Sequence, residues 1–130
     1  MELDYPEREM LQLGNLLSEE ALMFYNYPKD FQAKELLPGW MVHYVIGDYM
    51  SFTYHTIQPN TTAKMHTHPN EQLGIIIDGE FEMVIGEQKK MLKKGDMYRV
   101  PPNATHGGYT YAKKALIFEA FSPPRDYAKL

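Results

Sequence analysis

After Pro38-Gly39, apolar and polar residues alternate along most of this chain in short runs closed by turn residues. Side chains on an extended strand point alternately to opposite faces, so such runs predict half-buried β-strands. Trp40 to Ile46 and Tyr49 to Ile57 form one pair around Gly47-Asp48, most economically a hairpin. Gln72 to Ile77 and Glu80 to Ile85 flank Asp78-Gly79, a dipeptide suited to a hairpin turn. Gly86-Glu87 precedes Gln88 to Leu92, and Met97 to Val100 and Ala115 to Ser122 follow. Many short strands in succession predict an all-β domain whose antiparallel sheet is closed or sandwiched.

Before Pro38 the pattern changes. Leu11, Leu13, Leu16 and Leu17 precede Ser18-Glu19-Glu20, where Ser18 is placed to cap a short helix running towards Tyr25. This stretch is too apolar for a free tail, so it packs on its own core, across the barrel, or against a second subunit. The reading is a mixed N-terminal extension over residues 1–39, a candidate dimerisation segment, followed by a β domain over residues 40–130.

Composition narrows the picture by exclusion. A chain of 130 residues suits one core, burying roughly two-thirds of its unfolded surface. Its 44% hydrophobic content, with nine Gly and nine Pro, describes a turn-rich globular protein. The formal charge is −4 and the basic residues are scattered, which excludes nucleic acid as the expected partner. Lys89-Lys90, Lys93-Lys94 and Lys113-Lys114 suit exposed hairpin positions that discourage edge pairing. Without Cys there are no disulfides, thiolate ligands or cysteine nucleophile. Met1 to Glu7 lacks the basic and apolar regions of a signal peptide, and no apolar run approaches the ~20 residues of a membrane span. A cytoplasmic protein with no membrane partner is the expectation.

Two clusters carry the chemistry: His66-Thr67-His68-Pro69-Asn70-Glu71-Gln72 and Pro101-Pro102-Asn103-Ala104-Thr105-His106. On an extended strand His66 and His68 share a face, and Gln72 has the same parity. His106, arriving after a run of turn residues, adds a third imidazole. Three imidazoles and one amide oxygen predict a site for one divalent cation: Ni, Mn, Fe, Co and Zn all remain open. Glu71 has the opposite parity and is expected to face away. His43 and His55 lack a second ligand-type residue at useful spacing and read as ordinary strand histidines. Tyr109 and Tyr111 either line a pocket or pack on a face.

These clusters resemble the two motifs of the cupin superfamily. The first motif runs Gly, five residues, His-x-His, three or four residues, Glu, six residues, Gly; here Asn60, His66, His68, Gln72 and Gly79 stand at those positions. The second runs Gly, five residues, Pro-x-Gly, two residues, His, three residues, Asn, and aligns with Gly95, Pro101, Asn103, His106 and Thr110. Asn tolerates positive φ better than other non-Gly residues, so Asn60 and Asn103 can replace Gly in turns. The resemblance covers Trp40 to Ser122 and implies a double-stranded β-barrel, or jelly roll, with the metal inside.

The run from His68 to Gly74, then Asp78-Gly79-Glu80 and Phe121 to Asp126, is similar to a narrower group, the pectin-degradation cupins. That resemblance implies conversion of 4,5-unsaturated uronate monosaccharides to linear 4-deoxy-5-keto uronates by a homodimeric, metal-dependent isomerase-type enzyme. It implies metal binding by His66, His68, Gln72 and His106, and active-site roles for Glu119, Phe121 and Arg125. The family's usual residue at the first of these three is Asp, so Glu119 adds a methylene and moves the carboxylate by about 1 Å. Arg125 suits bidentate pairing with the carboxylate of a small anionic sugar. The same ligand set also suits an Fe(II)-dependent dioxygenase, or a non-catalytic sugar-acid-binding or sensory cupin.

Overall fold

The computed structural model describes residues 22–130. The Ser18 cap and most of the segment proposed for dimerisation lie outside the described residues. Residues 22–25 carry no helix. Within the described chain, residues 22–30 and residues 31–130 belong to separate units. In the first, the Asn26 N–H donates to Asp30 Oδ2 at 2.8 Å and the Asp30 N–H to the Asn26 carbonyl at 3.0 Å, closing one turn.

The second unit is a double-stranded β-barrel of nine strands: β1 (Gln32–Leu37), β2 (Trp40–Ile46), β3 (Ser51–Ile57), β4 (Thr62–His66), β5 (Glu71–Ile85), β6 (Gln88–Lys93), β7 (Met97–Val100), β8 (His106–Tyr109) and β9 (Ala115–Ser122). A 3-10 turn, Tyr127–Lys129, follows. All pairings are antiparallel: β1-β2-β3-β9-β5-β7 make one half, and β6-β5-β8-β4 the other. Among the described residues, no helix is long and apolar enough to cross a membrane.

The β2–β3 hairpin, β7 and β9 occur where alternation predicts them. The sheet also begins before Trp40, because β1 pairs with β2 from Gln32↔Tyr44 to Leu37↔Trp40. One expected turn is absent. Asp78-Gly79 is not a hairpin: β5 runs through it, bending where its register against β9 slips between Ile76 and Asp78. Gly79 has φ +80°, and a Cβ there would lie 1.8 Å from the Lys114 carbonyl oxygen, so the glycine serves a close backbone crossing. The bend carries β5 from the first half of the barrel into the second. Asn60 (φ 55°) and Asn103 (φ 65°) both adopt the left-handed conformation anticipated for them.

Inward positions build the interior. Ile57, Ile76, Phe81, Met83, Val100 and Ile117 form one apolar cluster, and Val42, Tyr44, Phe121 and Tyr127 another. Fully burying a side chain of this size contributes about 1.5–3 kcal/mol. Buried His55, His68, Gln72, His106 and Glu119 are also inward-facing polar groups. Among the described residues β6 pairs only with β5, and it carries Lys89, Lys90 and Lys93 as an edge strand, as the lysine pattern suggested.

Candidate metal centre

The four residues singled out as ligands converge from four local settings, and His66, His68 and Gln72 do not share the one extended strand on which their parity was counted. β4 ends at His66, which is registered opposite His106 at the start of β8. His68 lies in the connection to β5, and Gln72 is the second residue of β5. The Asn103 N–H donates to the His68 carbonyl at 2.8 Å and ties the two motif loops together. Asn70 Nδ2 donates to the Pro123 carbonyl at 2.6 Å, anchoring the His68 loop to the segment that follows β9.

Each imidazole is held by its Nδ1. That nitrogen donates to the carbonyl of Lys64 from His66 (2.7 Å), of Asn70 from His68 (3.0 Å) and of Ala104 from His106 (2.9 Å). A ring whose Nδ1 carries the proton presents an Nε2 lone pair on its other side. One ligand atom from each of the three histidines lies within 4.8 Å of the others.

Two further observations fit this set to a cation. The buried Nε2 of His106 meets no hydrogen-bond partner among the described residues. The Nε2 of His68 lies 3.0 Å from Gln72 Oε1, so a lone pair faces a carbonyl oxygen. Two acceptors are stable at that separation when a cation lies beside both; ligands each about 2.1 Å from one ion, at a right angle, are about 3 Å apart. The donor set of three nitrogens and one neutral oxygen suits a first-row divalent metal. Burial, followed by the positive charge of Arg125, pushes His68 below the usual imidazole range. Burial is also the main cause of the lowering at His106. Both effects favour the neutral ligand form.

Glu119 is buried on β9 and accepts from three side chains. His55 Nε2 is 2.7 Å from Oε1, while the Gln72 amide nitrogen and the Tyr98 hydroxyl both donate to Oε2. Burial alone would raise its pKa, but the His55 imidazole and the three hydrogen bonds outweigh it, and the carboxyl is held below its usual range. Burial and the neighbouring Glu119 charge push the Tyr98 phenol well above its usual range, which keeps it a donor.

Phe121 is fully buried, with its ring edge-on to His68 at 5.7 Å, so it packs against one of the candidate ligand rings. Half-buried Arg125 lies over the Tyr127 ring at 5.4 Å, and its backbone N–H donates to Ser51 Oγ at 2.9 Å. Glu71 turns outward to Arg99 at 3.0 Å. Tyr109 and Tyr111 meet edge-on with ring centroids 4.6 Å apart, and the Tyr111 hydroxyl donates to Glu82, so this pair packs on a face.

His55 is the residue that strand reasoning misplaced. Treated as ordinary, it is instead buried, takes a 2.9 Å hydrogen bond from the Trp40 indole and reaches Glu119. Its parity with Thr53 and Ile57 was the available signal: an ionisable group at an inward position. Tyr98 gave no such signal, because its role depends on the neighbour of β7 in the sheet. The three histidines, Gln72, Glu119, His55, Tyr98, Phe121 and Arg125 line one cavity of about 320 Å³, whose remaining wall includes Trp40, Ile57, Phe81, Met83 and Ile117.

Comparison with known proteins agrees with this architecture. The Cupin domain family model matches residues 53–118. The chain is 32% identical over 109 residues to the H2HPP isomerase of Bacillus subtilis, covering 78% of this chain and 46% of that protein. It is 34% identical over 61 residues to the pectin degradation protein KdgF of Dickeya dadantii, covering 46% of this chain and 56% of that protein. The chain thus spans about half the length of the curated relatives it matches. The structure of KdgF from Halomonas sp. superposes with a TM-score of 0.73 at 20% identity, covering 84% of this chain and 100% of the other.

Proposed function

The chain belongs to the cupin family, and from that premise we propose that it opens the ring of a 4,5-unsaturated uronate monosaccharide, giving the linear 4-deoxy-5-keto uronate. The observation that carries this reading is the meeting of a metal-ligand set with a buried, ionised carboxylate: Gln72 joins His68 on one side to Glu119 on the other. The similarity to the pectin degradation protein KdgF supports the substrate class.

His66, His68, Gln72 and His106 would hold the metal, which supplies Lewis-acid polarisation of a substrate oxygen. The remaining work falls to the chain. A carboxylate offers about four lone-pair sites, and three donors already occupy Glu119; the remaining site accepts the proton of the anomeric hydroxyl. The C1–O5 bond then breaks, leaving an aldehyde at C1 and an enolate at C5. Glu119 returns the proton to C4, completing an isomerisation that needs no redox partner. Arg125, at the cavity wall, pairs with the uronate carboxylate. The apolar wall keeps water away from the enolate.

The experiment follows the near-ultraviolet absorbance of an unsaturated galacturonate or glucuronate monomer with metal-loaded protein, chelated protein and Gln72→Ala. Acceleration over the spontaneous reaction, lost in both controls, is the expected result. Equal rates in all three reject the reading.

The cavity wall supports a second reading. Trp40, Ile57, Phe81, Met83 and Ile117 suit an acid with an apolar body better than a polyhydroxylated ring. On such an acid the same carboxylate would move a proton between carbons, in keeping with the isomerase name of the Bacillus subtilis relative. Incorporation of solvent deuterium, followed by NMR across unsaturated acids of both kinds, separates the two readings.

A further inference from the structure

One buried chain of hydrogen bonds runs from the barrel wall to the ligand set, and the direction of each link is set by the one before it. The indole of Trp40 can only donate, and it points at His55 Nδ1, 2.9 Å away. The ring therefore accepts at Nδ1 and carries its proton at Nε2. That Nε2 is 2.7 Å from Glu119 Oε1, and the Tyr127 hydroxyl lies 3.4 Å from the same nitrogen. Tyr98 donates to the other carboxylate oxygen.

The Gln72 amide is the one member that could face either way. Its nitrogen donates to Glu119 and its oxygen faces His68 Nε2. Turned over, it would set oxygen against carboxylate and an N–H₂ group towards the cluster, where it could not bind a cation. A carboxylate held in place as a pure acceptor excludes that orientation.

We propose that His55 is a positioning residue for the metal centre: it holds Glu119 in place, and Glu119 fixes which end of the Gln72 amide faces the three histidines. Trp40 acts one step further out by setting the tautomer of His55. The proposal rests on the reading of Gln72 as a metal ligand and not on the identity of the substrate. Removing the His55 donor leaves Glu119 Oε1 buried without its imidazole partner, so the carboxylate rotates and the amide loses its fixed orientation.

The test uses cobalt(II) as the probe on the full chain, reading affinity by titration and ligand geometry by the visible absorption band. Gln72→Ala is expected to weaken cobalt binding and shift the band. His55→Phe, which keeps a ring but removes the donor, is expected to do the same, with affinity falling about tenfold. His55→Gln places an amide N–H near the position of Nε2 and is expected to return the band and most of the affinity. An unchanged band in His55→Phe, or equal losses in His55→Phe and His55→Gln, overturns the proposal while leaving Gln72 a ligand. Wild-type protein that binds no cobalt, or a Gln72→Ala band identical to wild type, overturns the ligand reading and the proposal with it. Should His55→Phe not fold, Trp40→Phe takes its place. There the expected results are a nitrogen-15 spectrum in which His55 Nδ1 has lost its hydrogen bond and a shifted cobalt band, and an unchanged band again overturns the proposal.

Discussion

Gly74 and Tyr98 are partners across β5 and β7, and the side chain that Gly74 lacks is the space that Tyr98 occupies. A Cβ on Gly74 would lie 2.2 Å from the Tyr98 ring carbon that bears the hydroxyl. Gly74 is also registered against Glu119 on its other side. The tyrosine thus crosses over a glycine to reach the carboxylate.

Gly74→Ala is therefore expected to displace Tyr98, break its bond to Glu119 and cost about 1–3 kcal/mol through overpacking. Urea unfolding measures the loss. Double replacement with Tyr98→Phe should cost less than the sum of the two single changes, because both remove the same hydrogen bond. Full additivity would refute the link.

Divalent metal is expected to stabilise the protein through the three histidines. A ligand present at 100 times its Kd adds about 2.7 kcal/mol. Adding nickel, manganese or zinc should raise the thermal midpoint of the wild type, and chelator should reverse the rise. His106→Ala removes the buried Nε2 that meets no hydrogen-bond partner among the described residues, so its midpoint should be insensitive to both treatments. A metal response retained in this variant would contradict the site.

Stability of the metal-free protein should fall with acid in two stages. Burial holds the His68 and His106 imidazoles below the ordinary value of 6.5, so between that value and their folded values the unfolded chain binds more protons than the folded one. Their contribution is complete above 6.5 and is lost as pH falls. Glu119 lies below 4.5, so its contribution is present above 4.5 and is lost at still lower pH. Urea midpoints measured from neutral pH downwards check the order. Replacing both histidines by Gln should flatten the upper stage only.

Arg125 and Glu119 should separate kinetically on an unsaturated uronate. Arg125→Ala removes a charge that binds substrate and transition state alike, so KM should rise about tenfold with kcat nearly constant. Arg125→Lys should recover little, because an ammonium cannot form the bidentate pair. Glu119→Gln removes the proton acceptor and should lower kcat by about 10²–10⁴. Steady-state kinetics that moved kcat with Arg125, or KM alone with Glu119, would reverse the assigned roles.

Much of the succession of strands along the chain and the convergence of the candidate ligands was legible in the sequence, because both depend on local periodicity. Alternation predicted β2, β3, β7 and β9, and the spacing of His66, His68, Gln72 and His106 marked residues that do converge. Asn60 and Asn103 announced their turns through the tolerance of Asn for positive φ. What alternation could not decide was which strand lies beside which. Asp78-Gly79 carries the composition of a hairpin turn, yet it bends one long strand, because the Lys114 carbonyl of a distant segment crosses it. His55 looked like any strand histidine until β3 paired with β9, where its neighbours Thr53 and Ile117 bring it against Glu119. Tyr98 acquired its partner through Gly74, a residue of another strand. Sequence alone determines the face to which a side chain points; only the tertiary pairing, in which distant strands share hydrogen bonds, determines what that side chain meets there.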